Sequence, residues 1–308
     1  MVFKIKIAFL IGSLRQGGAE RQIYETSKLL AKDENNKVSI LFYEENNHYE
    51  FSKNNINLIK LESKGKSDRL FSLYKTVKQN EFDFVISFLE KTNLYLGIVG
   101  KFLYKRRRTI FIGSERNTRL IYSNSKKWQF ISSIAYKGLD ALIVNSNKAK
   151  KHISKTINYP NEKILLLRNL LNTDKFKPSD LLEHDLTLYS NLIDKDKNLF
   201  LVPARLHPQK NQHILIDTMK MLLHKDVNNI QFILAGDSKT TYAEKIKKNI
   251  EEEQLQKQFV FLDKVKNMEN LYNLVDFVLL PSLYEGFPNA ILEGMACGKI
   301  CLSTDTSD

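Results

Sequence analysis

Short apolar runs alternate with helix-length segments along almost the whole chain, and this alternation limits the possible folds more than any other feature. In the first half, strands are predicted at residues 5–11, 38–42, 56–61, 84–87, 109–112, 141–144 and 164–167, and helices at 19–31, 70–78, 94–103 and 126–137. Strands that alternate with helices are typical of a parallel sheet covered by helices. The pattern therefore predicts a doubly wound α/β fold.

A polar stretch of mixed composition, residues 172–197, interrupts this alternation. A second series follows, with strands predicted at 199–203, 231–235, 259–262, 276–280 and 300–302 and helices at 211–224, 242–253 and 288–296. A chain of 308 residues with 43% hydrophobic residues is long enough to form two cores. We therefore predict an N-terminal domain at 1–171, a linker at 172–197 and a C-terminal domain at 198–308.

Polar or glycine residues follow four successive strands of the second domain. Doubly wound sheets bind their ligands at the carboxyl ends of the strands, so these residues are candidates for one binding crevice. They are Arg205, Gly236 with Asp237, Lys264 with Val265, and Glu285.

The segment from Asp276 to Gly298 contains an apolar strand, a turn with a glycine and a predicted short helix. Pro288 has the φ angle suited to the first helical position, and Gly286 allows a ligand to approach the backbone. The first N–H groups of a helix can bind an anion such as phosphate. Glu285 precedes the helix and Glu293 lies within it, so their carboxylates are expected to reach different parts of one ligand. Two solvated surface carboxylates are the simpler alternative.

Two cations follow the first strand of the second domain, Arg205 and Lys210. An arginine offers a planar fork and a lysine a point charge, so together they could bind a diphosphate. The alternative is an ordinary exposed basic loop.

Two polar loops of the first domain also follow predicted strands. Gly17 and Gly18 lie in the loop from Gly12 to Arg21, which lacks the lysine and hydroxyl residues of a P-loop and the G-x-G-x-x-G of dinucleotide-binding proteins. This loop is either a phosphate-facing loop or a structural turn. Arg116 and Asn117 follow the strand 109–112 and are weaker candidates for a ligand site.

The net charge of +12 indicates attraction to an anionic partner. The densest run is Lys105 to Arg108, and further lysines follow at 126, 127, 148, 150 and 151. A solvated basic face, an anionic membrane surface or lipid-phosphate acceptor, and a nucleic acid would each explain the charge. No nucleic-acid-binding motif is present, and we expect no nucleic-acid partner.

Metal and nucleophile motifs are absent from the sequence. The six histidines, at 48, 152, 184, 207, 213 and 224, have no metal-ligand spacing, and there is no G-x-S-x-G motif. The two cysteines, Cys297 and Cys301, are too few for a disulfide framework. No apolar run reaches the length of a membrane span. We expect a cytoplasmic protein without a metal or other cofactor.

The stretch from Glu285 to Gly298 resembles the E-x7-E signature of retaining glycosyltransferases of family 4. The resemblance implies the GT-B fold, in which two doubly wound Rossmann-like domains face each other across a cleft. It implies that Glu285 lies at the donor sugar, that Glu293 binds the ribose hydroxyls, and that Arg205 and Lys210 bind the donor diphosphate. Ala204 departs from the family, which commonly has glycine there.

The same resemblance assigns further residues. Gly286, Phe287, Pro288, Asn289, Asp237 and Val265 are expected to line the donor pocket. Gly17 and Gly18 would face donor phosphate and acceptor, and Arg116 with Asn117 would lie near the reacting sugar on the acceptor side. Glu285, Arg205 and Lys210 are the expected catalytic residues, and no protein nucleophile is evident.

The implied function is transfer of a sugar, with retention of anomeric configuration, from a UDP- or GDP-linked donor to a glycan or lipid-linked acceptor. Surface polysaccharide or lipopolysaccharide synthesis is the expected context, either free in the cytoplasm or peripherally on the inner face of the membrane. The donor base, the sugar and the acceptor stay open.

The sequence ends ten residues after Gly298, whereas members of the family continue through further strands and helices. We therefore expect a C-terminally truncated chain with an incomplete second domain. The alternative function is that of an inactive remnant, which binds nucleotide or an anionic membrane surface without transferring sugar.

Overall fold

The structure, a computed structural model, describes residues 4–15, 17–45, 49–51, 54–63, 65–103, 108–116, 125–180 and 192–306. The chain divides into two compact units, Met1–Leu170 and Leu171–Ser307. Each unit contains one parallel sheet, of seven strands in the first and five in the second. The predicted α/β fold with two Rossmann-like sheets is confirmed.

The sheet of the first unit has the strand order β3-β2-β1-β4-β5-β6-β7. Its strands are apolar where they cross the core, and every pair is parallel. They are β1 (Ile5–Ser13), β2 (Asn36–Glu44), β3 (Asn57–Lys60), β4 (Phe84–Phe88), β5 (Ile110–Glu115), β6 (Ala141–Val144) and β7 (Ile164–Leu166). The order reverses between β1 and β4, as in other doubly wound sheets.

Helices cover both faces of this sheet. They are α1 (Gly18–Leu30), α2 (Lys66–Asn80), α3 (Glu90–Leu103), α4 (Lys126–Tyr136) and α5 (Asn147–Ile157), with a 3-10 turn at Asn161–Lys163. Ile23 of α1 belongs to one apolar core, whereas buried residues of α2 to α5 belong to a second core. Helices α2 to α5 therefore form one layer, and α1 packs on the opposite face.

Helix α5 was not predicted. Its buried residues are Ala149, Ile153 and Ile157, which recur every fourth position along one side of a helix that is otherwise rich in lysine. This spacing is typical of an amphipathic helix whose apolar stripe is narrow.

The sheet of the second unit has the order β10-β9-β8-β11-β12. Its elements are β8 (Asn198–Pro203), α6 (Ile214–Leu223), β9 (Ile230–Ala235), α7 (Thr241–Glu252), β10 (Phe259–Leu262), α8 (Met268–Leu274), β11 (Phe277–Leu280), α9 (Asn289–Ala296) and β12 (Ile300–Ser303). Two 3-10 turns lie at Pro208–Lys210 and Gln256–Gln258. The strand order reverses between β8 and β11.

Two predicted helix starts in this unit were wrong. The helix after β8 begins at Ile214 rather than Asn211, because Pro208–Lys210 forms a 3-10 turn and Asn211 adopts the left-handed φ of 58°. Helix α9 begins at Asn289, since Pro288 has an extended ψ of 103° and is the N-cap. Helix α8 was missed because it has only seven residues.

The first part of the predicted linker packs on the second unit. Phe176 is buried in that unit's core, and the side chain of Asn273 donates to the carbonyl of Lys177 and accepts from the N–H of Ser179. These contacts tie residues 172–180 to helix α8.

Candidate functional site

The loops that follow β8 and β11 meet at the point where the strand order of the second sheet reverses. The side-chain amide of Gln209 donates to the carbonyl of Tyr284 at 2.9 Å, and the N–H of Leu283 donates to the carbonyl of Gln209 at 2.9 Å. Such switch points are where doubly wound sheets bind ligands. The two loops therefore form one connected candidate site.

A lysine and a carboxylate pair within this site. Lys210 Nζ forms an ion pair with Glu285 Oε1, and the hydroxyl of Ser282 donates to the same oxygen at 2.6 Å. The side chains of Lys210 and Glu285 are only 18% and 10% exposed. In the described part of the chain, the other oxygen of Glu285 accepts no protein hydrogen bond. One oxygen of Glu285 is thus anchored, and the second can bind a ligand.

Glu293 lies on helix α9, eight positions after Glu285, and is 4% exposed. The next residue, Gly294, brings the helix close to the sheet. A Cβ there would lie 2.7 Å from the side chain of Val278 and 2.9 Å from that of Cys301. The close contact with β11 and β12 holds the Glu293 backbone on a rigid element.

The turn between Glu285 and helix α9 contains Gly286, which is buried, and Phe287, Pro288 and Asn289, which are half-buried. This turn leads from the end of β11 into the N-terminus of α9. Because the positive end of the helix dipole lies there, the arrangement favours a bound anion.

Arg205 and Lys210, predicted as two similar fixed cations, have different environments. Lys210 is fixed by Glu285, whereas the guanidinium of Arg205 is exposed and its backbone carbonyl accepts a hydrogen bond from Gln212 at 3.0 Å. Lys210 is therefore the buried cation of the pair and Arg205 the exposed one.

Asp237 lies beside this loop, just after β9. It accepts a hydrogen bond from the N–H of Lys239 at 3.1 Å and pairs with Lys264 at 3.3 Å. The Lys239 N–H, followed by Lys264, keeps the pKa of Asp237 below its ordinary value. Val265 is half-buried and packs on the core of the second unit.

Two residues of this region were missed by the sequence predictions, Ser282 and Gln209, which carry the hydrogen bonds described above. Gly236, which was predicted as part of the crevice, allows close backbone contact. A Cβ on Gly236 would lie 2.4 Å from the carbonyl oxygen of Ala204. The only sequence signal for Ser282 was its position, three residues before Glu285 and close to the end of a predicted strand.

In the first unit, Gly17 is the N-cap of helix α1 and Gly18 is its first residue. The carbonyl of Gly17 accepts a hydrogen bond from the N–H of Arg21 at 3.0 Å. Helix α1 is the next element after β1, which is one of the two strands at which the order of this sheet reverses.

A buried polar cluster lies at the ends of β4 and β5. The side chain of Asn93 accepts from Ser87 Oγ at 2.7 Å and donates to Glu115 at 2.9 Å. The hydroxyl of Tyr136 also donates to Glu115. Burial raises the pKa of Glu115 to about 7, although both hydrogen bonds oppose this shift. Sequence reasoning did not single out Glu115 as a site residue.

Arg116, the predicted acceptor-side residue, projects from the same strand end. Its guanidinium donates to Ser114 Oγ at 2.8 Å, to the Leu167 carbonyl at 3.1 Å and to Asn169 at 3.0 Å, and it lies 5.1 Å from the ring centre of Phe88. Burial lowers the pKa of Arg116 to about 10. Asn117 and the basic residues Lys105 to Arg107 lie outside the described residues.

The described ranges contain neither a cluster of metal ligands nor a membrane-spanning helix. No group of three or more His, Cys, Asp or Glu side chains comes together there as a potential metal site. Of the helices in those ranges, none has the length and hydrophobicity that crossing a membrane requires. The expected lack of a metal cofactor stays a prediction.

Two parallel Rossmann-like sheets in tandem are the architecture of the GT-B fold. A crystal structure of Anabaena HepE in complex with UDP and glucose has this fold, with a TM-score of 0.80, 20% identity, and coverage of 98% of this chain and 81% of that one. Residues 187–308 match the family described as Glycosyl transferases group 1. The second unit thus carries a domain of that family, and the predicted glycosyltransferase class is confirmed.

Curated relatives are also glycosyltransferases. An alpha-1,4-N-acetyl-D-galactosaminyltransferase of Campylobacter jejuni, named for a diNAcBac-PP-undecaprenol-linked substrate, is 27% identical over 94% of this chain and 77% of its own length. A UDP-Gal:alpha-D-GlcNAc-diphosphoundecaprenol alpha-1,3-galactosyltransferase of Escherichia coli is 28% identical over 76% of this chain, which spans 60% of that relative. A capsular polysaccharide biosynthesis glycosyltransferase of Staphylococcus aureus is 23% identical over 99% of this chain and 82% of its own length.

Proposed function

We propose that this protein transfers a sugar from a nucleotide-sugar donor to a glycan or lipid-linked acceptor during synthesis of a surface polysaccharide or lipopolysaccharide. The observation that carries the proposal is the connected pair of loops after β8 and β11, in which Lys210 and Ser282 hold Glu285 at the switch point of the second sheet. Relatives with sugar-transferring names support the same reaction class.

The donor binds to the second unit in this proposal. Glu293 accepts hydrogen bonds from the ribose hydroxyls, because it is a buried carboxylate on a helix that begins at the switch point. The diphosphate binds at the N-terminus of α9, where the helix dipole attracts anions. Gly286, Phe287, Pro288 and Asn289 form that end of the pocket, and Asp237 and Val265 border it.

Glu285 and Lys210 act at the reacting part of the donor. The unoccupied oxygen of Glu285 binds a sugar hydroxyl, while Lys210, with Arg205 recruited by the ligand, stabilises the negative charge that develops on the leaving diphosphate. Fixed charges aimed at developing charge commonly provide the largest catalytic contribution. No metal is required in this scheme, and the anomeric configuration is retained by attack on the face from which the diphosphate leaves.

The acceptor binds to the first unit, with Arg116 and the loop of Gly17 and Gly18 as its contacts. The guanidinium of Arg116 is held by three hydrogen bonds at the end of β5, so it can present a fixed positive charge to an acceptor. A lipid-linked acceptor would place the protein peripherally on the inner face of the membrane.

A thermal-shift screen of uridine and guanosine sugars tests the donor assignment. We expect one nucleotide class to raise the melting temperature of the full chain, and Lys210→Ala to reduce that rise. Lys220→Ala is the matched control, because Lys220 forms an exposed ion pair with Glu253 at 2.6 Å outside the site. No response to any uridine or guanosine sugar would contradict the proposal.

Turnover is measured separately, as release of the nucleoside diphosphate in the presence of a metal chelator. Release with a retained anomeric product supports the full reaction. Donor binding without any sugar release would favour the alternative of a protein that binds nucleotide without transferring sugar.

A further inference from the structure

Helix α4 exposes a row of large apolar side chains on the surface of the first unit. The helix already buries Ser132, Ala135 and Tyr136 against the unit, and Phe130 and Ile134 lie opposite these positions at helical spacing. Phe130 is 67% exposed and Ile134 is 41% exposed, and Ile131, 37% exposed, lies beside them. Large apolar patches of this kind mark interaction sites on soluble proteins.

A close helix crossing adds another aromatic side chain to this surface. A Cβ on Gly138 would lie 1.9 Å from the carbonyl oxygen of Gly97 and 2.9 Å from the N atom of Lys101. Only glycine permits this approach, which brings the end of α3 beside the end of α4. Phe102, 79% exposed, is at that end of α3.

Exposed lysines border the apolar row. Lys126 and Lys127 begin α4, and Lys137 directly follows it. Helix α5, which packs beside α4 in the same layer, adds exposed Lys148, Lys151 and Lys155, spaced so that they share one side of the helix. Neither α4 nor α5 contains an aspartate or glutamate.

We infer that this surface, the α4 surface, docks on an anionic lipid bilayer. It consists of Phe102, Phe130, Ile131 and Ile134 together with the bordering lysines. An amphipathic helix with aromatic residues on one face and lysines around it is typical of helices that lie in a membrane interface. At 11 residues, α4 lies on the bilayer rather than across it.

Charge distinguishes this occupant from a second copy of the chain. A two-fold dimer through the α4 surface would bring two lysine-bordered patches together, and α4 and α5 offer no carboxylate to pair with these lysines. Anionic headgroups instead attract each lysine near the surface. The inference rests on the proposed function in one respect only: docking would bring the enzyme to its lipid-linked acceptor.

Vesicle co-sedimentation of the full chain tests the inference without any nucleotide sugar, so its outcome is independent of the donor site. The vesicles contain phosphatidylcholine alone, or phosphatidylcholine with roughly 30% phosphatidylglycerol. We expect the protein to sediment with the anionic vesicles and to stay in solution with the neutral ones. If the protein sedimented with neither kind of vesicle, the inference would be overturned.

Two double variants separate the apolar and the charged contributions. Phe130→Ser with Ile134→Ser should weaken binding about tenfold or more, and Lys151→Glu with Lys155→Glu about fivefold or more per lysine. The first is matched by Leu29→Ser, an exposed residue of α1 on the opposite face of the sheet. The second is matched by Lys225→Glu with Lys245→Glu, exposed lysines of the second unit that give the same net charge.

The controls decide the result. Binding that falls in both double variants and not in their controls supports the α4 surface. Equal loss in the variants and in the charge-matched control would show only nonspecific attraction and overturn it. Concentration-dependent self-association in the absence of vesicles, abolished by Phe130→Ser with Ile134→Ser, would assign the surface to a second copy instead.

Discussion

Glu285 and Glu115 both lie at the carboxyl end of a parallel sheet, but Glu285 is bound by a cation and Glu115 by neutral donors. Glu285 pairs with the Lys210 ammonium group and keeps one oxygen without a protein partner among the described residues. Glu115 is bound by the neutral donors Asn93 and Tyr136, and burial raises its pKa to about 7. A cation thus holds Glu285 and leaves one of its oxygens for a ligand, whereas neutral donors tie Glu115 into the buried cluster of the first unit.

The largest expected difference between the two carboxylates is in activity. Glu285→Gln should reduce turnover about 100-fold or more, because it removes the ion pair with Lys210 and a contact to the sugar. Glu115→Gln should leave turnover near neutral pH within about threefold, because the carboxyl group has no proposed contact with the donor. Release of nucleoside diphosphate measures both. Equal losses in the two variants would remove the distinction between the carboxylates.

The second prediction concerns pH and stability. In the unfolded chain Glu115 ionises near its ordinary pKa of 4.5, whereas in the folded protein it holds its proton up to about pH 7. Between these values the folded state binds more protons, so this group makes stability fall as the pH rises through that window, with no further change above it. The total contribution is on the order of 3 kcal/mol.

Urea unfolding of the wild type and of Glu115→Gln across this window measures the effect. We expect the variant to lose the fall in stability that Glu115 causes, so that the difference between the two proteins changes with pH only below about pH 7. Parallel pH profiles would show that Glu115 does not titrate in this way.

The third prediction concerns the close backbone contact between Gly236 and Ala204 in the second unit. Gly236→Ala should lower the free energy of unfolding by about 2 kcal/mol, because its Cβ meets the backbone of Ala204. Gly12→Ala is the control, since nothing lies within 4 Å of a Cβ there. Its effect should stay within about 0.5 kcal/mol. Equal stability of the two variants in urea would show that the backbone at Ala204 can move to accommodate the new Cβ at little energetic cost.

The smallest expected effect compares two serines. Ser282→Ala removes a hydrogen bond to Glu285, and Ser87→Ala removes one to Asn93, so each should cost about 1 kcal/mol of stability. Only Ser282→Ala should also weaken donor binding, which calorimetric titration measures. Weaker donor binding in Ser87→Ala would connect the buried cluster of the first unit to the donor site.

Much of the fold could be predicted from the sequence, because strands buried on both faces leave apolar runs that are easy to recognise. Helix α5 was not predicted, because its three buried residues are separated by polar residues, many of them lysines. The start of α6 was placed three residues too early, at Asn211, because a left-handed asparagine leaves no clear mark in a sequence.

The candidate site was predictable to the extent that its residues follow strands. Glu285, Glu293 and Lys210 could be selected in this way and by resemblance to a family. The pairing of Lys210 with Glu285 depends on contact across 75 positions of sequence, and the difference between Lys210 and Arg205 depends on burial. Neither property is local, so the sequence alone does not report it.

Isothermal titration of the full chain with UDP and with GDP tests most directly whether the switch point of the second sheet is a nucleotide-sugar site. We expect the wild type and Glu115→Gln to bind one of the two nucleotides with equal affinity, and Glu293→Ala to bind it at least about tenfold more weakly. Lys210→Ala and Arg205→Ala should also bind more weakly. Unchanged affinity in all three site variants, or no binding of either nucleotide to the wild type, would contradict this expectation.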